Sequence, residues 1–241
     1  MTQEVSNWGR WGPDDQLGML NILNADSVLN AVRLVKKGVV YNLAVPLEKD
    51  GPQTPTFYKT WLVTYLNDGS HPDGNGVADD VVTMESHSGT HIDALGHEWR
   101  DGKLWNGRSA SEEVTGSGLG WAAIHNVSAI VGRGVMLDIA AFKGVEHLGL
   151  SEVITSQDMA GCAEAQGVEI LPGDTLLLHT GWYRGFKRDR SLWEQGEPGP
   201  DGSCGPWLKE KNIVAIGADN AAVELKPRGA PPSLHAVALR D

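Results

Sequence analysis

The stretch 83-TMESHSGTHIDALGHEW-99 decides how the rest of the chain is read. It places three of the eight histidines, His87, His91 and His97, within eleven residues and sets Asp93 among them. Two ligands of one metal ion must bring their donor atoms within about 3 Å of each other, around bonds near 2 Å. In a straight strand all four side chains share one face, but His87 and His91 then stand roughly 13 Å apart at about 3.3 Å per residue. A regular helix brings i and i+4 together and turns Asp93, at i+6 from His87, off that face. The spacing therefore predicts a strand that leaves its sheet through a bend at Gly89, because glycine tolerates dihedral angles closed to other residues and leaves space for metal and substrate. Such a loop presents His87, His91 and Asp93 together and keeps a coordination position open for water. Thr90, on the opposite side, bonds the turn or orients a ligand. His97 comes back after a second small turn through Ala94, Leu95 and Gly96, as a further ligand, an orienting partner or a base.

Composition narrows the function classes. The chain has 241 residues, with 20 basic against 31 acidic and a net charge of −11. Phosphate binding depends on clustered Lys and Arg, so neither nucleic acid nor an anionic membrane is expected as a partner; a small-molecule substrate is. A chain of this length buries a core without disulfides or metal, which makes a metal here functional rather than structural. Cys162 and Cys204 lie far apart and form no CxxC, so the cytoplasm is the expected compartment. The N-terminus lacks a basic region followed by an apolar one, and no apolar run approaches the ~18 residues of a membrane span.

Thirty glycines and twelve prolines point to a turn-rich architecture. Residues 24–38 read as a helix capped by Asn24 or Asp26 and stopped at Gly38, and residues 155–167 as another. Strands are expected over Val39–Val45 and within 57–66, 79–86, 128–140, 174–182 and 212–219. Helices and strands mix without strict alternation, so the chain reads as a single α/β or α+β domain over 1–241, built around a mixed sheet or barrel.

The segment HSGTHIDALGH, residues 87–97, resembles the HxGTHxDxxxH signature of the cyclase family of metal-dependent hydrolases, which includes bacterial kynurenine formamidase and isatin hydrolase. NWGRWGPDDQLGMLNIL near the start, DGKLWNG, LLLHTGW, VAIGADN with Glu224, and SLHAVALRD carry the likeness over nearly the whole chain. The resemblance implies a swivelling β/β/α fold with a closed mixed β-barrel and a homodimer or homotetramer. It further implies hydrolysis of a formamide, amide, cyclic amide or lactone by water on a divalent metal, Zn or Mn. It makes His87, His91 and Asp93 metal ligands and His97 the general base, and it gives His235 a second metal that Asp93 bridges. The family supplies a further glutamate and a final barrel strand beyond the position of Asp241, so the likeness leaves the second metal open and implies a missing C-terminal segment. Leu95 stands where formamidases often have proline, which weakens the claim to that substrate.

Other readings rest on single residues. Trp8, Trp11, Trp61, Trp99, Trp105 and Trp182 are candidates for an aromatic pocket wall or for packing; Trp61, Trp99, Trp182 and Glu224 are taken as the substrate contacts. Asp219 either lines the site or caps a turn, and His179 reads as a hydrogen-bonded core histidine. No GxSxG elbow is present and neither cysteine has a histidine nearby in sequence, which argues against a covalent acyl-enzyme. Two alternatives stand beside the hydrolase. A non-haem Fe(II) oxygenase would use His91 and Asp93 with a distal His179 or His235. A non-catalytic metal-binding protein would keep the loop without turnover.

Overall fold

The computed structural model describes residues 6–48, 51–52, 62–65, 74–76, 80–227 and 232–241. The chain divides into two compact units, one formed by 1–39 with 93–241 and the other by 40–92.

The larger unit begins with helix α1, Ala25–Arg33, whose Asn24 side chain accepts from the amides of Asp26 and Ser27 while Ser27 bonds back to the Asn24 amide. This reciprocal box satisfies amide donors that the first turn leaves over. The helix ends earlier than the expected Gly38. Leu34 and Val35 are 52% and 67% exposed and give the next turn no surface to pack on, and a helix this short depends on packing to extend. The expected strand over Val39–Val45 does not form. Residues 39–45 have no strand assignment, and Val40 and Tyr41 are 94% and 73% exposed, so the β-branched run has no ladder to join.

In the smaller unit β1, Leu62–Tyr65, pairs antiparallel with β2, Asp80–Thr83, with Leu62 opposite Thr83 and Tyr65 opposite Asp80. Trp61 lies outside the described residues.

The rest of the larger unit opens with α2 (Ala110–Glu113) and a hairpin of β3 (Val114–Thr115) and β4 (Gly118–Leu119). Then follow β5 (Gly134–Asp138), α3 (Ile139–Phe142), β6 (Val153–Ile154), α4 (Ser156–Ala165) and β7 (Thr175–His179). After these come α5 (Trp182–Arg188), α6 (Ser191–Gln195), β8 (Gly199–Pro200), α7 (Gly205–Glu210) and β9 (Ala215–Ala218). Strands β5, β7 and β9 form a parallel sheet with β7 in the middle, and β6 pairs in parallel with β8. Parallel neighbours need crossovers, and helices lie in both connections of the sheet. Alternation decides which face packs: Val135 and Leu137 of β5 and Leu176 and Leu178 of β7 are at most 3% exposed, while Met136 between them is 46% exposed. They meet Ile139, Leu148, Ile154, Met159 and Cys162 in one core. Among the described residues this is a mixed α/β structure whose largest sheet has three strands.

A second cluster joins Leu104, Trp105, Trp121 and Ala122 with Trp8, Trp11 and Leu95. The indoles are tied to the backbone as well as packed: Trp105 Nε1 donates to the Asp15 carbonyl at 2.9 Å and Trp121 Nε1 to the Trp105 carbonyl at 3.1 Å. Trp8, Trp11 and Trp105 thus pack together around the chain's N-terminal segment. None of the described helices is long and apolar enough to cross a membrane.

Leu178 is 2% exposed at the centre of the sheet. Leu178→Ala is expected to lower the unfolding free energy by about 2–5 kcal/mol, through lost transfer energy and the cavity it leaves. Urea unfolding of the two proteins measures it, and a loss below about 1 kcal/mol would show that this sheet face is not the core.

Candidate metal centre

Asp93 opens the second segment of the larger unit, and one 3-10 turn, Leu95–His97, follows it. Gly96 seats that turn. Its amide donates to the Ala122 carbonyl at 3.0 Å, and a Cβ at Gly96 would overlap the Leu119 side chain and, at 2.5 Å, the Trp121 carbonyl oxygen. The absence of a side chain therefore lets the turn press against the tryptophan cluster, and His97 Nε2 comes 3.9 Å from Asp93 Oδ2. This is the second small turn that the spacing between Asp93 and His97 called for.

His235 reaches the same carboxylate from the end of the sequence, with Nε2 at 3.5 Å from Asp93 Oδ2. Its position is fixed from behind. The His235 amide and Nδ1 both donate to Glu224 Oε2, at 2.8 and 2.7 Å. Glu224 is 2% exposed and sits in a tight turn in which Asn220 Oδ1 accepts from the Val223 amide and Asn220 Nδ2 donates to the Pro198 carbonyl, both at 2.7 Å. The His97 and His235 ring centroids are 6.2 Å apart, on either side of Asp93. Burial alone would push the His235 pKa down. The bonds to Asp93 and Glu224 and the charges of both outweigh it, and the pKa is raised to about 9. A proton on His235 offsets one of the two carboxylate charges around it; a divalent cation would offset both. Carboxylate and imidazole are the donor types found at such metal sites.

In the smaller unit Gly89 has φ 62°, the left-handed geometry expected of the bend, and its amide donates to the Pro52 carbonyl at 3.1 Å. The bend brings the His87 and His91 rings edge to face, with centroids 5.1 Å apart. His91 Nδ1 lies 3.0 Å from the Gly89 carbonyl, which can only accept, so in the neutral ring the lone pair is on Nε2. Thr90 Oγ1 accepts from the Val45 amide at 2.9 Å, which is the turn-bonding role rather than a bond to a ligand.

The other sequence candidates sit elsewhere. His179, at the end of β7, has Nδ1 2.8 Å from Asp138 Oδ1, and Nε2 lies 3.9 Å from Asp219 Oδ2. Asp219 accepts from the Thr180 amide and hydroxyl at 2.7 and 2.6 Å, so it ties β9 to the end of β7. Asp138 loses some acidity to burial and regains more from His179 and the Ala141 amide, and its pKa ends lowered. Trp182 is 2% exposed at the start of α5, with its ring against His147; Trp99 is 47% exposed, two residues after His97. Sequence reasoning placed Glu224 against substrate and missed its bond to His235. The signal available was Asn220 before Val223, a side chain that closes a turn and aims the next residue inward.

A family model described as Putative cyclase matches residues 41–225. A crystal structure of a novel cyclase is 31% identical, with a TM-score of 0.89, over 98% of this chain and 83% of that one. Isatin hydrolase A from Labrenzia aggregata, bound to benzyl benzoate, is 21% identical with a TM-score of 0.56, over 82% of this chain and 73% of its own. An isatin hydrolase bound to the product analogue thioisatinate is 20% identical with a TM-score of 0.57, over 90% and 82%. No curated protein sequence matches.

The His235 geometry sets a pH dependence. Its folded pKa of about 9 lies above the ordinary 6.5, so its contribution to stability is fully present below about pH 6.5 and is lost as the pH rises through about 9. Urea unfolding of chelator-treated protein should show stability falling over that window, and Glu224→Gln should flatten the fall. Parallel declines in the two proteins would show that the pair is not its source.

Proposed function

The chain belongs to the cyclase family, and from that premise we propose that it is a metal-dependent hydrolase that cleaves a formamide, amide, cyclic amide or lactone. The observation that carries the reading is the Asp93 carboxylate facing both His97 and His235, with Glu224 holding His235 from behind. The likeness to isatin hydrolases supports the reading at the level of fold, as it does the closed mixed barrel of the swivelling β/β/α architecture, which belongs to the same proposal.

The roles follow from the donors. His87, His91 and Asp93 would hold a zinc or manganese ion, and His235 with Asp93 a second. A divalent cation there supplies Lewis acidity, lowering the pKa of water from near 16 to about 7 and polarising a carbonyl. His91 keeps its Nε2 lone pair available because Nδ1 is committed to the Gly89 carbonyl. Glu224 holds His235 by Nδ1 in the same way, which turns its Nε2 toward Asp93. His97 takes a proton from water and returns it to the leaving nitrogen or oxygen, a duty suited to an imidazole whose ordinary pKa is about 6.5. Trp99, half-exposed just beyond His97, is the aromatic surface placed to meet the substrate. The product is a carboxylate. Of the two alternative distal histidines for a facial triad, His235 is the one beside Asp93, while His179 lies between Asp138 and Asp219.

The test is elemental analysis of the purified chain and of His91→Ala, each assayed on formylkynurenine, isatin and simple lactams. Stoichiometric zinc or manganese, lost in the variant together with hydrolysis, is the expected result. Metal retained by the variant overturns the ligand assignment, and full metal with no hydrolysis but oxygen consumption on ferrous loading overturns the reaction class.

A further inference from the structure

The turn that carries His97 leans on a backbone segment held in an uncommon conformation. The Gly96 amide donates to the Ala122 carbonyl at 3.0 Å, and the Trp121 carbonyl fills the space where a Gly96 Cβ would stand. Successive carbonyls of an extended chain point to opposite sides. Here two in a row face one glycine, and Ala122 between them has φ 51°, in the left-handed region that residues with a Cβ seldom enter. Ala122 is 1% exposed and packs in the cluster of Trp105 and Trp121, which keeps its methyl in place. Such a conformation persists only where the surroundings over-determine it.

Gln16 is what determines it from the other side. Its Oε1 accepts from the Ala122 amide at 2.8 Å and from Asn126 Nδ2 at 2.9 Å. A trans peptide points its N–H and its C=O in opposite directions, so the bond that draws the Ala122 N–H toward Gln16 aims the Trp121 carbonyl at Gly96. Gln16 is fixed in turn by its neighbours. The Asp15 carboxylate accepts from the Leu17 and Gly18 amides at 3.2 and 2.9 Å, and the Asp15 carbonyl from Trp105 Nε1 and Asn106 Nδ2, both at 2.9 Å. Gly18, with φ 56°, lies against Leu95, whose Cδ1 is 3.0 Å from where a Gly18 Cβ would stand. Residues 15–18 therefore meet the Leu95–His97 turn twice, through Gln16 by way of Ala122 and through Gly18 directly.

We infer that Gln16 is a positioning residue for His97: by holding the Trp121–Ala122 peptide it seats the Leu95–His97 turn and sets where the His97 ring stands beside Asp93. The kinetic consequence rests on the proposed role of His97 as proton carrier, while the positioning itself is read without turnover. A displaced base costs rate rather than substrate affinity, because proton transfer depends on hydrogen-bond reach.

The test uses the full chain with carbon-13-labelled histidine, whose ring Cε1–H signals are read by NMR without substrate, the His97 signal being the one lost in His97→Gln. Gln16→Leu is expected to displace that signal while those of His147 and His179 stay in place, and to lower kcat for hydrolysis about tenfold with KM and metal content unchanged. Gln16→Glu keeps a side-chain oxygen within reach of the Ala122 amide and should return both readings to native. In an Ala122→Gly background, where a positive φ is freely open to the residue, the leucine change should cost about threefold instead. Gln16→Ala carries the same expectation should the leucine variant not fold. A chain that hydrolyses nothing removes the proposed function and leaves the ring signal to decide the positioning. An unmoved His97 signal, a displacement shared with His147 and His179, or a Gln16→Glu chain that behaves as the leucine variant does would each overturn the inference.

Discussion

His235 is gripped by two carboxylates, and much of the larger unit is arranged so that this group can exist. Glu224 is nearly inaccessible to water, and an ionised carboxylate in such a place is costly unless its charge is answered and its oxygens are bonded. The answer comes from a residue eleven positions later, through both its backbone amide and its ring. The ring's far nitrogen is thereby directed at Asp93, so a structural requirement and a chemical one are met by one contact. Two acidic groups and one base within a few ångströms form a unit that attracts positive charge: a proton on the base offsets one carboxylate, and a divalent cation would offset both.

The parallel sheet supplies the fixed frame. Its three strand ends are joined by side chains as well as by the ladder: Asp138 of β5 bonds His179 of β7, and Asp219 after β9 bonds Thr180. The turn that carries Glu224 begins immediately after Asp219, so it departs from a strand end that is already tied down. Position at the site is thus inherited from a core of Leu137, Leu176, Leu178 and their neighbours that takes no part in the chemistry.

Parts of this were legible in the sequence for identifiable reasons. The run 174–182 has Leu176, Leu177 and Leu178 in succession, as suits a strand with a packed face in a parallel sheet, and β7 lies there. Gly89 was readable because only a bend reconciles a four-residue histidine spacing with a common point, and Asn24 because capping chemistry is local. What was not legible depended on distant partners. Val39–Val45 has the composition of a strand, and composition cannot say whether a neighbouring strand will be there to receive its hydrogen bonds. The tryptophans fitted either a pocket wall or packing because number and type carry no depth; Trp182 is buried. Glu224 and His235 share no regular period, so the local sign was confined to the turn that Asn220 closes.

Gly96 has a meaning for how the motif should be written. In the form HxGTHxDxxxH the three places between Asp93 and His97 are open, as though any residue would serve. Here the third is closed by shape, because the Trp121 carbonyl occupies the space that any side chain would enter. The tolerance of that spacer is therefore decided at a tryptophan twenty-five residues away. A chain free to vary at Gly96 would need a different wall behind it, and two members with the same eleven-letter signature can be held to different alphabets by what stands at their backs.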